Sequence, residues 1–242
     1  MTNDDLEAKT SAAADMIIES RKLVVFTGAG VSTESGIPDF RSPGGIWSKF
    51  DPDDFTIQKF LRSPETRRKQ WQILIESGLI VDAEPNQAHL SIAELERLGR
   101  LDCVITQNID NLHQKAGNSP EKVIELHGSM RWVRCLGCKR RYSLEDIRKR
   151  LKKGDEIPDC EKCHGILKPD VVFFGEALPQ EAFQNATHHS SNCDLLISIG
   201  SSLVVYPAAY MPVYAKEAGA KLIIINLGET SLDTSADIII NE

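Results

Sequence analysis

Four of the six cysteines in this 242-residue chain fall into two pairs, Cys135-x2-Cys138 and Cys160-x2-Cys163, with 21 residues between the pairs. Two cysteines at that spacing let one turn offer both sulfurs to a tetrahedral ion, and two such turns make the four-thiolate shell of a zinc ribbon. A closed shell leaves no position for water or substrate, so the expected zinc is structural. His164 follows Cys163 directly and reads as a bystander, because four thiolates complete the shell without it. Cys103 and Cys193 lie beside predicted strands and read as core filler. Six cysteines are too few for a disulfide framework in a chain of this length, and a reducing compartment keeps them as thiols or metal thiolates. A ribbon alone serves docking and nucleic-acid modules as readily as enzymes.

A second chemical signal is the loop Thr27-Gly28-Ala29-Gly30-Val31-Ser32-Thr33-Glu34-Ser35-Gly36, which follows the apolar run Leu23 to Phe26. A strand that runs into glycines and then a helix start brings backbone N–H groups close enough to bind a pyrophosphate. The usual dinucleotide fingerprint has glycine where this chain has Thr33, so a plain tight turn remains an equal reading of this loop alone. Two more polar, glycine-bearing ends follow apolar runs, Gly200-Ser201-Ser202 and Asn226-Leu227-Gly228. Three such strand ends can converge on one nucleotide at the carboxyl edge of a sheet.

The elements that must position these groups are legible as short apolar runs. Leu23 to Phe26, Val104 to Ile105, Val123 to Leu126, Val171 to Phe174, Leu195 to Ile199, Leu222 to Ile225 and Ile238 to Ile240 mostly lack period-two alternation, as suits strands buried on both faces. Helical spacing lies between them, over residues 5 to 20, Gln87 to Leu98, Pro179 to Ser190 and Pro207 to Ala218. The alternation predicts an α/β fold with an open, doubly wound parallel sheet. Two segments do not fit it: residues 44 to 80, a helical insert around Phe55, Phe60, Trp71 and Leu74, and the Lys/Arg-rich cysteine segment 130 to 168. The formal charge of −7 disfavours broad attraction to nucleic acid or an anionic membrane, and neither is an expected partner. No apolar run approaches membrane-spanning length, and the opening Asp4, Asp5 and Glu7 do not read as a secretion signal, so a cytoplasmic location is expected.

Beyond single motifs, GAGVSTESGIPDFRSPGGIW at 28 to 47, TQNIDNLH at 106 to 113, ELHGS at 125 to 129, KPDVVFFGE at 168 to 176 and GSSLVVYPAA at 200 to 209, together with the cysteine pairs, closely resemble the sirtuin family of NAD-dependent protein lysine deacylases. The resemblance follows the family's motif order over residues 5 to 240. It implies a Rossmann-like NAD-binding domain formed by residues 1–43, 81–128 and 169–242. A smaller domain would combine the helical insert 44–80 with the zinc module 129–168. It also implies NAD as co-substrate, beside one structural zinc on Cys135, Cys138, Cys160 and Cys163. On this template Gly28, Ala29, Gly30, Ser32 and Arg41 line the phosphates and neighbouring ribose, and Gly200, Ser201, Ser202, Asn226, Leu227 and Gly228 hold the adenosine half. The Asp39-Phe40-Arg41 loop covers the dinucleotide, with Phe40 on the nicotinamide side and Trp47 close by. Ile109 and Asp110 take the carboxamide, and Gln107 and Asn108 the nicotinamide ribose.

The implied reaction consumes NAD: the acetyl-lysine carbonyl oxygen attacks the ribose carbon, nicotinamide leaves, and the acetyl group ends on ADP-ribose. An amide oxygen is a poor nucleophile, so it must be aimed and water excluded. His127 is the expected general base for a ribose hydroxyl, with Asn108 beside it, since an imidazole titrates near neutral pH. His89, His113, His188 and His189 read as structural. An acetylated-lysine protein or peptide is expected to bind as an extended strand between two segments. Val171, Phe173, Phe174, Gly175 and Glu176 lie on one side, and Val204, Val205 and Tyr206 on the other; main-chain pairing reads little side-chain sequence. Family members that prefer acidic acyl chains carry Tyr and Arg in the insert, where this chain has Ile73 and Glu76, so acetyl or an apolar acyl group is favoured. Arg67 and Arg68 read as a solvated face. Family members usually continue past the position of Glu242 into a last helix, which puts the adenine contact in question. Two other readings stay open: an ADP-ribosyl transferase in the same fold, and a catalytically idle NAD- or zinc-dependent binding module.

Overall fold

The structure, a computed structural model, describes residues 3–76 and 82–241, without the side chains of residues 74–76. Leu74 and Glu76, both singled out above, therefore lie with their side chains outside the described residues. Among the described residues no helix is long and apolar enough to cross a membrane.

Six strands form the main sheet: β1 (Leu23–Thr27), β2 (Leu101–Thr106), β3 (Val123–Glu125), β7 (Leu195–Ile199), β8 (Lys221–Ile225) and β9 (Ile238–Ile240). All pair in parallel, in the spatial order β3-β2-β1-β7-β8-β9. Their isoleucine- and valine-rich runs are buried on both faces, as continuous apolar strands require. One face packs on α7 (Gln180–Ser190) and α8 (Tyr210–Glu217) through Ala186, Met211 and Ala215. The other meets α1 (Asn3–Glu19) and α4 (Gln87–Arg97) through Ala13 and Ile92. Asn86 starts α4 by accepting hydrogen bonds from the N–H groups of Ala88 (3.0 Å) and His89 (3.4 Å). The chain winds outward from β1 through β2 to β3, then returns to lay β7 on the other side of β1. This is the doubly wound Rossmann-like order, and its switch point lies between the ends of β1 and β7.

The cysteine segment holds more regular structure than its composition suggests. β4 (Gly128–Cys135) is flanked antiparallel by β5 (Arg141–Ser143) and β6 (Leu167–Val171). Asp170 draws both Arg134 (3.0 Å) and Arg141 (2.8 Å) across these strands. The expected strand Val171 to Phe174 is displaced toward the N-terminus: β6 ends at Val171. Lys168, Pro169 and Asp170 hide a strand that is real because it is an edge, where proline and charge are tolerated. α6 (Leu144–Lys152) was also missed. Ser143 caps it, accepting from Asp146 N–H at 3.1 Å, and Leu144, Ile147 and Leu151 face inward among charged neighbours.

The insert contains α2 (Ile57–Arg62) and α3 (Pro64–Glu76). Phe60 and Trp71, both essentially fully buried, join Val133, Ile147, Leu167, Cys135 and Cys160, so insert and ribbon share one buried core. Each such side chain contributes about 1.5–3 kcal/mol by burial. Arg67 is not merely solvated: its Nη1 donates to the Phe60 (2.8 Å) and Leu61 (3.1 Å) carbonyls and closes α2. Arg68 pairs with Glu156 at 2.9 Å.

Beneath the carboxyl ends of β1 and β2, α5 (Leu112–Ala116) buries His113 against His89, ring centroids 4.9 Å apart. Burial pushes the His113 imidazole down from 6.5 to about 3 and also lowers His89. The unfolded chain takes up these protons below pH 6.5, whereas folded His113 resists until about 3 and folded His89 also resists below its ordinary value, so acid removes stability as pH falls from 6.5. The unfolding free energy from urea titration should fall steadily from pH 6.5 toward pH 4, by up to about 1.4 kcal/mol per pH unit for each such group. His113→Gln should flatten that slope, and an unchanged slope would show that the pair is not responsible.

Candidate active site

At the switch point two strand ends meet backbone to backbone. Gly28 N–H donates to the Ile199 carbonyl (3.0 Å) and Gly30 N–H to the Gly200 carbonyl (2.8 Å). A Cβ on Gly30 would lie 2.8 Å from Gly200 Cα, and one on Gly200, whose φ is +63°, would lie 2.2 Å from Val31 N. Side chains are excluded from this junction, and only glycine accepts the left-handed backbone at 200 without strain. The expected helix start is a tight 3-10 helix, Ala29–Ser35. Among the described residues nothing bonds the N–H groups of Ala29, Ser201 and Ser202, and the exposed Arg41 guanidinium has no ion-pair partner. A glycine cradle with free donors and one free cation is the donor set a pyrophosphate requires, so the residues fit a dinucleotide.

Beside the cradle the polar side chains interlock. Asn108 Nδ2 donates to the Gly28 carbonyl (3.1 Å) and to Ser32 Oγ (3.0 Å), and Ser32 Oγ donates to Asp110 Oδ2 (2.8 Å). Asp110 also accepts from Leu112 N–H (2.9 Å), while Gln107 Nε2 donates to Ser201 Oγ (2.8 Å). Ile109 leaves this network and packs on the ribbon core, with its carbonyl accepting from Met130 N–H at 3.0 Å. Residues 107–110 thus run from one unit to the other.

His127 stands where the two sheets meet. The preceding Leu126 extends β3, its N–H donating to the Thr106 carbonyl at 2.9 Å; the following Gly128 opens β4. A Cβ on Gly128, at φ +76°, would fall 2.2 Å from the Asp170 carbonyl oxygen. His127 Nδ1 lies 2.8 Å from the Gln107 carbonyl, which can only accept, so Nδ1 carries the hydrogen and Nε2 keeps its lone pair. Nε2 has no hydrogen-bond partner among the described residues. Burial lowers the His127 pKa, opposed by the Gln107 hydrogen bond.

Phe40 packs on Trp47 (5.1 Å), which meets Phe55 (5.5 Å) and Phe174 (5.8 Å). Asp39 fixes the loop by accepting from the N–H groups of Arg41 (3.0 Å) and Ser42 (2.8 Å). The segment after β6 is tied on both sides. Val172 N–H donates to the His127 carbonyl (2.8 Å), and Phe174 exchanges hydrogen bonds with Phe55 and Ile57. Glu176 accepts from Phe173 N–H and from buried Lys168 Nζ, both at 2.8 Å. Gly175 and Val204, in the two segments expected to flank a peptide, make no backbone hydrogen bond among the described residues, and Val204 is half exposed. Tyr206 turns outward onto Tyr210 at 4.7 Å. Among the described residues Asn226, Leu227 and Gly228 make no side-chain hydrogen bond to the rest of the site; Asn226 Nδ2 donates to the Gly228 carbonyl (2.7 Å), and Leu227 is 80% exposed.

The four cysteines of the ribbon converge, all sulfurs within 4.8 Å, with Cys135 and Cys163 at 3.4 Å and Cys138 and Cys160 at 3.6 Å. A tetrahedral ion with bonds of about 2.3 Å wants sulfurs about 3.8 Å apart, so the set fits zinc. Both knuckles use one geometry: Lys139 N–H returns to the Cys135 carbonyl (3.0 Å) and His164 N–H to the Cys160 carbonyl (2.7 Å), with Lys139 and His164 both left-handed. The His164 ring turns away to Asp159 and is 81% exposed, as a bystander should be.

The sequence profile of the Sir2 family matches residues 28–207. The chain belongs to the Sir2 family. It is 46% identical over 240 residues to NAD-dependent protein deacetylase 1 of Pyrobaculum aerophilum, covering 99% of this chain and 90% of that one. Its identity to the NAD-dependent protein deacetylase of Thermotoga maritima is 46%, covering 92% and 88%. A solved Sir2 histidine-to-alanine variant with a deacetylated p53 peptide and 3′-O-acetyl-ADP-ribose matches with a TM-score of 0.90 at 44% identity, over 97% of this chain and 93% of that one.

Sequence reasoning missed what holds this Sir2 site from behind. Thr27 Oγ1 lies 2.8 Å from Thr106 Oγ1 and 2.9 Å from His113 Nε2, and Thr106 Oγ1 accepts from Asn108 N–H at 3.0 Å. Threonines at the ends of two adjacent predicted strands, with a histidine in the following helix, were the available signal. Because Cys135 and Cys160 sit within the small unit's core, Cys160→Ser should lose the zinc and melt that unit early, while the main sheet keeps its helical signal. One zinc per chain retained by that variant, read by mass spectrometry, would overturn the four-thiolate assignment.

Proposed function

We infer that this Sir2 protein is an NAD-dependent protein lysine deacetylase that transfers acetyl from lysine to ADP-ribose and releases nicotinamide. The observation that carries the reading is His127, held as the Nδ1–H tautomer with Nε2 free at the meeting point of cradle, polar network and peptide segment. When bound, NAD supplies the ADP-ribosyl acceptor and the leaving nicotinamide.

The chain's residues divide the work as follows. Gly28, Ala29, Gly30, Gly200, Ser201 and Ser202 hold the dinucleotide's phosphates and adenosine side by backbone donors, with Arg41 supplying charge, and Asn226, Leu227 and Gly228 extend that side. Asp110 and Ile109 receive the carboxamide. Gln107 and Asn108 orient the ribose, and Ser32 keeps Asn108 and Asp110 in register. Phe40 and Trp47 exclude water from the reacting carbon. His127 Nε2 takes a ribose hydroxyl proton. The acetyl-lysine peptide adds as a strand between Val171–Glu176 and Val204–Tyr206, where the unbonded backbones of Gly175 and Val204 support pairing. The Rossmann-like unit is residues 1–43, 81–128 and 169–242, and the small unit 44–80 and 129–168. Ile73, an apolar residue of α3, supports a preference for acetyl over acidic acyl groups. A thiolate zinc beside two buried free thiols supports a reducing, cytoplasmic setting, and a net charge of −7 gives nucleic acid no general hold.

Incubation with NAD and an acetyl-lysine peptide should yield O-acetyl-ADP-ribose by mass; equal deacetylation without NAD would overturn the reading. His127→Ala should keep the NAD-induced thermal shift and lose roughly 10²-fold or more in turnover. Since burial lowers the His127 pKa, its basic form persists below pH 6.5, and the acid limb of wild-type kcat/KM should fall below that value. Glu176→Gln, which leaves the buried Lys168 ammonium without its carboxylate, should raise the peptide KM about tenfold and leave the NAD KM within about twofold.

A further inference from the structure

At the opposite end of the sheet from the NAD site, β2 begins with a fault. Leu101 pairs with Leu23 and Cys103 with Val24, so Asp102 is an extra residue bulged out of the ladder. The bulge breaks the alternation of faces: Leu101 packs in the core beneath α1 and α4, whereas Cys103, two residues on, packs in the core beneath α7 and α8. In a regular strand Asp102 and Cys103 would point to opposite faces. Here both face His189 in the last turn of α7. His189 Nδ1 lies 2.6 Å from Asp102 Oδ2, and one donor atom from each of Asp102, Cys103 and His189 lies within 4.8 Å of the others.

We propose that Asp102, Cys103 and His189 form a second metal site, for a divalent transition ion of borderline softness such as Zn2+ or Co2+. A thiolate, an imidazole and a carboxylate are the donor set such ions take, whereas Mg2+ and Ca2+ want oxygen alone. Three protein ligands leave one position for water, unlike the closed ribbon site. The side chains of Asp102 and His189 are each 33% exposed and give the ion its way in, while Cys103, 2% exposed, closes the inner side. A tetrahedral ion with bonds of about 2.0 Å to nitrogen and oxygen sets those atoms about 3.3 Å apart, so the Asp102–His189 contact of 2.6 Å must open by about 0.7 Å. Binding displaces the Cys103 thiol proton to water, moves the hydrogen on His189 Nδ1 to Nε2 so that the neutral imidazole offers a lone pair, and forms three metal–ligand bonds. Five residues of extended chain, roughly 16 Å, separate Asp102 from Gln107, so the site is distinct from the NAD cradle.

The test titrates Co2+ into protein whose ribbon zinc is in place, reduced with a phosphine, and reads metals per chain by mass spectrometry and the near-ultraviolet thiolate-to-cobalt band. Wild type should reach two metals per chain, with the band growing alongside. Cys103→Ser should abolish the band and the second ion, and His189→Gln should weaken uptake at least tenfold. Neither residue belongs to the deacetylation machinery, so turnover without cobalt should stay unchanged in both, which also reports folding. Should Cys103→Ser not fold, Asp102→Asn at the partly exposed ligand takes its place with the same expectation as His189→Gln. Exchange of cobalt for ribbon zinc leaves the total at one. A wild-type total of one, or undiminished uptake in any folded variant, overturns the proposal.

Discussion

The close approach of Gly30 to Gly200 is the constraint on which the active site depends. Two loops from strands distant in sequence share a hydrogen bond across a gap that admits no Cβ, and this sets the edges of both loops, with their free N–H groups, at one spacing. Doubly wound topology produces the opportunity, since only at the switch point do neighbouring connections leave in opposite directions and open a crevice. Glycine makes the opportunity usable. The threonine pair of β1 and β2, buried with His113, then carries the register of the cradle into the backbone of Asn108.

The second organising fact is that one residue belongs to both sheets. Residues on either side of His127 pair in different ladders, its side chain bonds the loop that carries the polar network, and its carbonyl receives the N–H of the segment assigned to the peptide. The imidazole's hydrogen bond therefore goes to a main-chain group, which has no rotamer to lose. The zinc contributes at a distance: it completes a small core built mainly by β4, α6 and β6, to which the insert adds Phe60 and Trp71, and that core supports the far end of β4.

Most of the fold was legible because a parallel sheet buried on both faces leaves unbroken apolar runs, and six of its strands could be found that way. The small sheet was not, because β6 carries Lys168, Pro169 and Asp170 on an edge, and α6 shows three apolar positions among charges. The candidate site was legible to the extent that it uses glycine, cysteine and histidine, whose spacing is dictated by ligand chemistry and backbone geometry more than by packing. The threonine relay, the Lys168–Glu176 tie and the bulge at Asp102 were hidden because each depends on strand register, which no single stretch of sequence encodes.

Gly128 shows what this arrangement denies the protein. Its missing side chain would overlap the Asp170 carbonyl, so the position beside His127 has a single permitted occupant. Drift and laboratory evolution alike must instead work on neighbours held by side-chain contact, such as Phe40 and Trp47, whose rings pack 5.1 Å apart. Adaptability around His127 is thus lopsided: a position closed by main-chain contact admits no exchange, whereas one held by ring packing can trade one side chain for another.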